Sequence, residues 1–151
     1  MSHEIQANAK LAVLLVEDNP ADVLLTREAL RSGEAVSTTL TVARDGVEAM
    51  EMLRGAGPHA GAARPDLILM DLNMPRKDGR ELLAEIKSDP DLRRIPVVVL
   101  TTSSAERDVR QSYDLHANSY VVKPPELDDF FEAMRLIQRF WLGVSVLPKR
   151  E

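Results

Sequence analysis

Residues 66–79 read DLILMDLNMPRKDG, and this stretch contains one complete unit of the predicted fold. Its first part, Asp66–Met70, is one aspartate followed by four apolar residues, and such an apolar run is typical of a buried strand in a parallel sheet. Polar and turn-forming residues follow from Asp71 onward. Gly79 then begins an amphipathic segment of helical period that runs to Lys87. The stretch therefore predicts a buried strand, a loop and a helix, in that order.

The same alternation of strand and helix repeats on both sides of this unit. The predicted strands are Leu11–Val16, Thr38–Ala43, Asp66–Met70, Pro96–Leu100 and Ser119–Val122, and the predicted helices are Pro20–Ser32, Gly46–Arg54, Gly79–Lys87, Ala105–Leu115 and Glu126–Leu142. Such alternation predicts an α/β protein with a parallel sheet covered by helices on both faces. Because crossovers are right-handed, five strands favour a doubly wound parallel sheet with the strand order 2-1-3-4-5.

Composition limits the protein to a few classes. The 151 residues are 44% hydrophobic and 28% charged, which indicates one globular domain. The net charge of −5 argues against broad attraction to nucleic acid or to a membrane surface. The absence of cysteine excludes disulfides and thiolate metal sites. The N-terminus lacks a secretory signal, and no apolar run approaches the ~20 residues that span a bilayer. We therefore expect a cytoplasmic protein.

The ends of the chain differ in character. We expect a flexible N-terminus over residues 1–9, a domain over residues 10–141 and an apolar C-terminal arm over residues 142–151, with no room for an effector domain. In the arm, Val144 and Val146 alternate with Ser145. The arm either folds back on its own domain or pairs with another copy, and its exposed apolar residues favour a homodimer formed through the last helix and the arm. Residues 55–65, rich in Gly, Ala and Pro, are expected to form a mobile surface loop.

Polar residues that could carry chemistry lie where the predicted strands end. Glu17 and Asp18 follow the first strand, Asp71 the third, Thr101 the fourth and Lys123 the fifth. In an open α/β sheet, ligands bind beyond the carboxyl ends of the strands. These residues are therefore expected to meet in one cleft.

Each of these residues also has an ordinary structural explanation. Asp18 or Asn19 could cap the helix that follows, although Asn19 is better placed to do so. Asp71 could begin a turn, Thr101 could be a plain strand residue, and Lys123 could be a solvated surface lysine. Their joint occurrence at one end of one sheet favours a functional site over four separate coincidences.

The charge of the cluster indicates its chemistry. Carboxylates that converge in a partly desolvated cleft repel one another, and a divalent cation removes that repulsion. Oxygen ligands without histidine or cysteine suit Mg²⁺, held by Asp18, Asp71 and a backbone carbonyl, with Glu17 acting through water. An aspartate carboxylate is a nucleophile that needs no general base, so Asp71 could attack a phosphoryl group directly. Lys123 and the Thr101 hydroxyl would stabilise the phosphoryl oxygens.

At this point the chain resembles the receiver domain of two-component response regulators, over about residues 10 to 138. The resemblance is carried by Glu17-Asp18, by Asp71 within DLILMDLNMPRKDG, by Thr101 within PVVVLTTS and by Lys123-Pro124 within SYVVKP. It implies a flavodoxin-like receiver fold. It also implies that a sensor histidine kinase supplies a phosphoryl group from a phosphohistidine.

The resemblance also assigns roles to individual residues. It implies Asp71 as phosphoacceptor, and Glu17, Asp18 and the Asn73 carbonyl around Mg²⁺. It further implies a cis peptide bond between Lys123 and Pro124. Thr101 and Tyr120 match the family's switch pair, in which the hydroxyl moves toward the phosphoryl group and the aromatic side chain turns inward.

A narrower resemblance concerns the kinase partner. The run PRKDGRELLAEIKSDPDLRRIPVVVLTTS, the Gly/Ala loop before the third strand and the ending FWLGVSVLP are similar to single-domain response regulators paired with bacterial phytochromes. This implies a red-light-sensing histidine kinase as partner. Pro125 departs from the family's usual apolar or aromatic residue. Ser103 and Asn73 occupy positions that the family uses to tune dephosphorylation.

Three other functions fit parts of the pattern. An FMN carrier of similar fold would need a phosphate-binding loop after the first strand, where Glu17 and Asp18 would repel phosphate. A phosphatase with an Asp nucleophile would need an acid two residues after Asp71, where Asn73 stands. A non-phosphorylated adaptor remains the main alternative, although the full acidic set argues against it. We therefore expect a phosphorylation switch and not a multiple-turnover enzyme.

Overall fold

The computed structural model describes residues 11–32, 37–61 and 64–148. Its five strands form one parallel sheet in the order β2-β1-β3-β4-β5, which confirms the predicted α/β topology. The elements are β1 (Leu11–Val16), α1 (Pro20–Ser32), β2 (Thr38–Ala43), α2 (Gly46–Arg54), β3 (Leu67–Met70), α3 (Gly79–Ser88), β4 (Val97–Thr101), α4 (Glu106–Asp114), β5 (Ser119–Val122) and α5 (Leu127–Ile137).

The sheet has a hydrophobic core on each face because side chains alternate along its strands. Val13 and Leu15 of β1 face the core that α1 and α5 cover. Leu14 and Val16 face the opposite core, which α2 and α3 cover. All four residues of β3 are buried, as expected for the central strand of a sheet covered on both faces.

Two strands begin one residue later than predicted. β4 starts at Val97 because Pro96 has no N–H to donate, although its carbonyl accepts a hydrogen bond from Ile68 N at 2.9 Å. Before β3, Asp66 turns its side chain back on the sheet, where Oδ2 accepts from Ala12 N at 2.8 Å. At the carboxyl ends, which position the site, β3 stops at Met70 as predicted and β4 extends one residue further, to Thr101.

The caps of the helices are local and polar. Asn19 caps α1, since its Oδ1 accepts from Ala21 N at 2.9 Å, as predicted. Asp45 caps α2 by accepting from Glu48 N at 2.8 Å. These caps satisfy N–H groups that have no partner within their helices.

The last helix changes geometry near its end. The predicted single helix over residues 126–142 is divided, because α5 ends at Ile137 and a π-helical segment covers Gln138–Val144. Gln138 is buried, and its Nε2 donates to Leu30 O and to Thr38 Oγ1, both at 3.1 Å. These two bonds tie the π-helical segment to α1 and β2.

The two ends of the chain are described only in part. Leu142 is buried in the core, whereas Val144 and Val146 are 71% and 80% exposed. Residues 1–9 and the last three residues of the expected arm lie outside the described residues. Gly57–His59 form a 3₁₀ turn within the loop over residues 55–65. No helix among the described residues is long and apolar enough to cross a membrane.

Candidate functional site

The carboxyl edge of the sheet brings the polar strand ends together. Met70 pairs with Val16 on one side and with Val99 on the other, so Asp71 lies between the ends of β1 and β4. Because all strands are parallel, every one of them ends at this edge. This edge of the sheet is polar because the residue that directly follows each strand is polar.

Lys123 lies at the centre of the site. Its Nζ donates to Glu17 Oε1 at 2.7 Å, to Asp22 Oδ2 at 2.9 Å and to Asp71 Oδ2 at 3.2 Å. The side chain of Lys123 is only 7% exposed, so these charges interact with little screening by water. One ammonium thus faces three carboxylates, and the cleft keeps an excess of negative charge.

Burial and charge shift the pKa values of this cluster. Burial raises the pKa of Glu17, an effect that the hydrogen bond from Lys123 offsets only in part. Burial lowers the pKa of Lys123, but hydrogen bonds to Asp22 and Glu17 outweigh it and raise that pKa overall. Lys123 is therefore a fixed positive charge at neutral pH.

Asp22 was not singled out by the sequence analysis. It lies in the first turn of α1, where an acidic residue is unremarkable because it favours the positive end of the helix dipole. Its contact with Lys123 joins residues 101 positions apart. The only feature of the sequence that could have indicated a role for Asp22 is its position one turn after Asn19, which places it at the same edge of the sheet as the strand ends.

The metal-binding residues predicted from the sequence differ in their exposure and in their hydrogen bonds. Asp18 is exposed and opens toward solvent, whereas Glu17 and Asp71 are both bonded to Lys123. The Asn73 N–H donates to Asp71 Oδ1 at 3.3 Å, which brings its backbone beside the carboxylate. Among the described residues, no three histidine, cysteine or carboxylate side chains are arranged to hold a metal ion.

The donor set nevertheless fits a hard divalent cation. Mg²⁺ usually keeps several waters and takes only one or two protein carboxylates, so it does not need three side chains. Asp18, Asp71 and a backbone carbonyl offer oxygen alone, which is the chemistry that Mg²⁺ and Mn²⁺ prefer. The excess negative charge around Lys123 would also attract a cation.

The predicted switch residues occupy neighbouring strands. Thr101 is fully buried, and its Oγ1 makes no hydrogen bond to any described residue. The Tyr120 hydroxyl donates to Ser103 O at 2.9 Å, so this side chain is held against the loop that follows Thr101. A buried hydroxyl without a partner is costly, and an incoming oxygen acceptor would satisfy it.

The expected cis peptide bond is wrong. The described residues contain no cis peptide bond, so the Lys123–Pro124 bond is trans. Trans is the intrinsically favoured isomer before proline, by about 0.5–1 kcal/mol. Lys123 N also donates to Thr101 O at 2.7 Å, which continues the pairing of β5 up to the lysine.

A parallel five-stranded sheet with this acidic and basic set at its carboxyl edge is the arrangement of a receiver domain. A model of the response regulator receiver domain matches residues 13–135, and the chain belongs to this family. The resemblance inferred from the motifs is thereby confirmed.

The chain is similar to the response regulators Rcp1, RcpA and AtBRR. It is 49% identical over 143 residues to the response regulator Rcp1 of Synechocystis sp., covering 95% of this chain and 97% of Rcp1. A crystal structure of the phosphorylated cyanobacterial phytochrome response regulator RcpA matches with a TM-score of 0.89 at 52% identity, covering 93% of this chain and 100% of RcpA.

Two further structures extend this comparison. The Mn²⁺-bound form of Rcp1 matches with a TM-score of 0.87 at 50% identity, covering 92% of this chain and 99% of that one. The bacteriophytochrome response regulator AtBRR matches with a TM-score of 0.72 at 41% identity, covering 95% and 99%. Rcp1 thus shows that a similar receiver domain can hold a divalent metal.

Proposed function

We propose that this protein is a single-domain response regulator whose Asp71 accepts a phosphoryl group from a phosphohistidine of a sensor histidine kinase. Phosphorylation then switches a surface that another protein or another copy of the chain recognises. The proposal places the protein in the cytoplasm, together with the kinase, and gives it no role in binding nucleic acid or membranes. It acts as a switch and not as a multiple-turnover enzyme.

The observation that carries this proposal is that the nucleophile, Asp71, lies beside two groups that can donate hydrogen bonds to phosphoryl oxygens. Asp71 Oδ2 accepts from Lys123 Nζ at 3.2 Å. Thr101, at the end of the adjacent strand, has a buried hydroxyl without a partner among the described residues. An anionic phosphoryl group on Asp71 would accept a hydrogen bond from the Thr101 hydroxyl. It would also place a further negative charge beside the Lys123 ammonium.

The transfer itself needs no general base. A carboxylate oxygen of Asp71 attacks phosphorus, the N–P bond of the phosphohistidine breaks, and its electron pair returns to the imidazole. The product is an acyl phosphate on Asp71. Lys123 remains protonated throughout and stabilises the charge on the phosphoryl oxygens.

A divalent cation, Mg²⁺ in the cell, completes the site in this proposal. Asp18, Asp71 and the Asn73 carbonyl would hold it, with Glu17 acting through water. When bound, it supplies positive charge to the phosphoryl oxygens. The support for this assignment is the all-oxygen donor set and the exposed carboxylate of Asp18.

The switch in this proposal uses Thr101 and Tyr120. A phosphoryl group would attract the Thr101 hydroxyl, and the loop that follows β4 would move with it. The Tyr120 hydroxyl is bonded to Ser103 O in that loop, so the aromatic side chain would respond to the same movement. Phosphorylation would thereby shift the populations of two arrangements of this surface.

We assign the kinase partner to the phytochrome class. The support is the similarity to Rcp1 and to RcpA, a phytochrome response regulator. A groove of about 520 Å³ also lies beside Lys123, between α1 and the start of α5. Leu127 and Val122 line it and are 51% and 41% exposed, so an apolar helix face could dock there.

Phosphotransfer from purified kinases tests this function. A phosphorylated phytochrome-class histidine kinase should transfer its phosphoryl group to this protein at least ~10-fold faster than an unrelated kinase, because matched docking surfaces orient the donor. Radiolabel on each protein would be followed over time. Equal rates would refute the phytochrome assignment. If neither kinase nor acetyl phosphate labels the protein, the proposed function itself is refuted.

We further propose that the protein forms a homodimer through its last helix and its C-terminal arm. Leu136, Phe140 and Val144 recur every four residues and are 53%, 52% and 71% exposed. Leu136 lies in α5, and Phe140 and Val144 lie in the π-helical segment that continues it. A spacing of four residues keeps all three near one side of the helix, where they form an apolar stripe. A second copy of the same stripe would bury it in a symmetric interface.

Light scattering of single-residue variants tests the dimer. The wild type should have twice the monomer mass, and Phe140→Glu should have the monomer mass, because a buried carboxylate in an apolar interface is unfavourable. Leu24→Glu is the matched control, since Leu24 is an exposed leucine (68%) on α1. A monomeric wild type, or a dimeric Phe140→Glu, would refute this interface.

A further inference from the structure

The loop that follows the phosphoacceptor is bound to a distant turn. We call residues 72–78 the phosphoacceptor loop. The guanidinium of Arg76 donates from Nε to Asp45 Oδ2 at 2.7 Å and from Nη2 to Asp45 Oδ1 at 3.1 Å. Gly46 N donates to Lys77 O at 3.0 Å. The loop is thus attached to the turn between β2 and α2 through side chains and through backbone.

The backbone at Arg76 adopts an unfavourable conformation. Its φ is +64°, in the left-handed region. That region is unfavourable for a residue that has a Cβ, because the Cβ comes too close to the following carbonyl oxygen. Glycine would remove this cost but would supply no guanidinium. The bidentate ion pair with Asp45 holds the side chain of Arg76 in place, so the strained backbone conformation persists.

Asp45 is well suited to hold the loop. Its side chain is only 11% exposed, and it also caps α2. Burial raises its pKa, but hydrogen bonds from Arg76 and Glu48 N outweigh burial, so the pKa of Asp45 lies below its usual value. Asp45 is therefore ionised at neutral pH.

The two turns approach each other without spare room. A Cβ on Gly46 would lie 2.4 Å from Lys77 O, which is far inside van der Waals contact. At its ends the phosphoacceptor loop is closed by Gly79 N, which donates to Leu72 O at 2.8 Å. Leu72 itself is fully buried. The loop is therefore held at both ends and at Arg76 and Lys77.

We infer that Arg76 and Asp45 are positioning residues for the divalent cation, because their ion pair holds the backbone that presents the Asn73 carbonyl. This inference rests on the proposed function. Asn73 is exposed and lies between the closed end of the loop and Arg76. Mg²⁺ demands near-ideal octahedral geometry, so a loosened loop should bind it less tightly. Mn²⁺ prefers the same oxygen ligands and serves as a probe of the same site.

Titration with Mn²⁺, followed by water-proton relaxation, tests this inference. Arg76→Gly removes the guanidinium while allowing the left-handed backbone. Asp45→Asn removes the charge while keeping a good helix cap. Each variant should bind Mn²⁺ about 10-fold more weakly than the wild type, as is typical when an outer support of a metal ligand is lost. The double variant should be no weaker than either single variant, because both lose the same bond.

A control variant and a second measurement separate positioning from general destabilisation. Arg64→Gln removes an ion pair of comparable length, to Asp91 at 2.9 Å, that involves no residue of the phosphoacceptor loop, and it should bind Mn²⁺ like the wild type. Without metal, Arg76→Gly should also show faster amide hydrogen exchange over residues 72–78 and at Gly46.

Three results would overturn the inference while leaving the function intact. These are wild-type affinity in Arg76→Gly and Asp45→Asn, equal weakening in Arg64→Gln, or unchanged exchange in the loop. A wild-type protein that binds no Mn²⁺ would instead refute the proposed metal site, and the positioning role with it.

Discussion

Replacing Asp71 by asparagine is expected to abolish phosphoryl uptake. Acetyl phosphate with Mg²⁺ should add one phosphoryl group to the wild type, and Asp71→Asn should gain none, because a neutral amide oxygen is not an adequate nucleophile. Removal of Mg²⁺ by a chelator should suppress labelling of the wild type, since the phosphoryl oxygens would then lose a counter-charge. Intact-mass spectrometry measures all three states.

A neighbouring carboxylate provides the matched control. Asp22 Oδ2 also accepts from Lys123, at 2.9 Å, but Asp22 lies on α1 and not at the end of β3. Asp22→Asn should therefore still gain one phosphoryl group. Labelling of Asp71→Asn, or loss of labelling in Asp22→Asn alone, would show that the acceptor had been assigned to the wrong residue.

Replacing Lys123 by methionine should slow phosphorylation by about 10²-fold, because a preorganised positive charge at the transferring group is then lost. Methionine keeps much of the side-chain volume and removes only the ammonium. The rate would be followed by intact mass at several concentrations of acetyl phosphate. A rate within a factor of about 2 of the wild type would contradict the role of Lys123, given the size expected for such a charge.

Lys87 supplies the control for this substitution. It is also partly buried, and its Nζ donates to Arg93 O and Ile95 O, both at 2.9 Å, beyond the opposite end of the sheet. Lys87→Met should lower the free energy of unfolding by about 1–3 kcal/mol, because the carbonyl of the buried Ile95 loses a charged donor. It should leave the phosphorylation rate unchanged. Equal slowing in both variants would indicate a general effect of instability.

Much of the fold could be predicted because its signals are local. Continuous apolar runs such as Leu11–Val16 and Ser119–Val122 have the bounds predicted for them. Where an observed strand begins later than predicted, the cause is also local. Pro96 has no N–H to donate, so β4 begins one residue later. The division of the last helix at Gln138 was not predictable, because bonds to Leu30 and Thr38 lie about a hundred residues away.

The sequence by itself determined which polar residues follow each strand, and thereby that Glu17, Asp71 and Lys123 belong to one edge of the sheet. This was possible because parallel strands all end at the same edge, so position along the chain translates directly into position in space. Only the tertiary structure decided how those side chains pair. It brought Asp22 to Lys123 and Arg76 to Asp45, and it left the Lys123–Pro124 bond trans. Such contacts depend on helix orientation, loop path and side-chain rotamers, which no periodic pattern in the chain encodes.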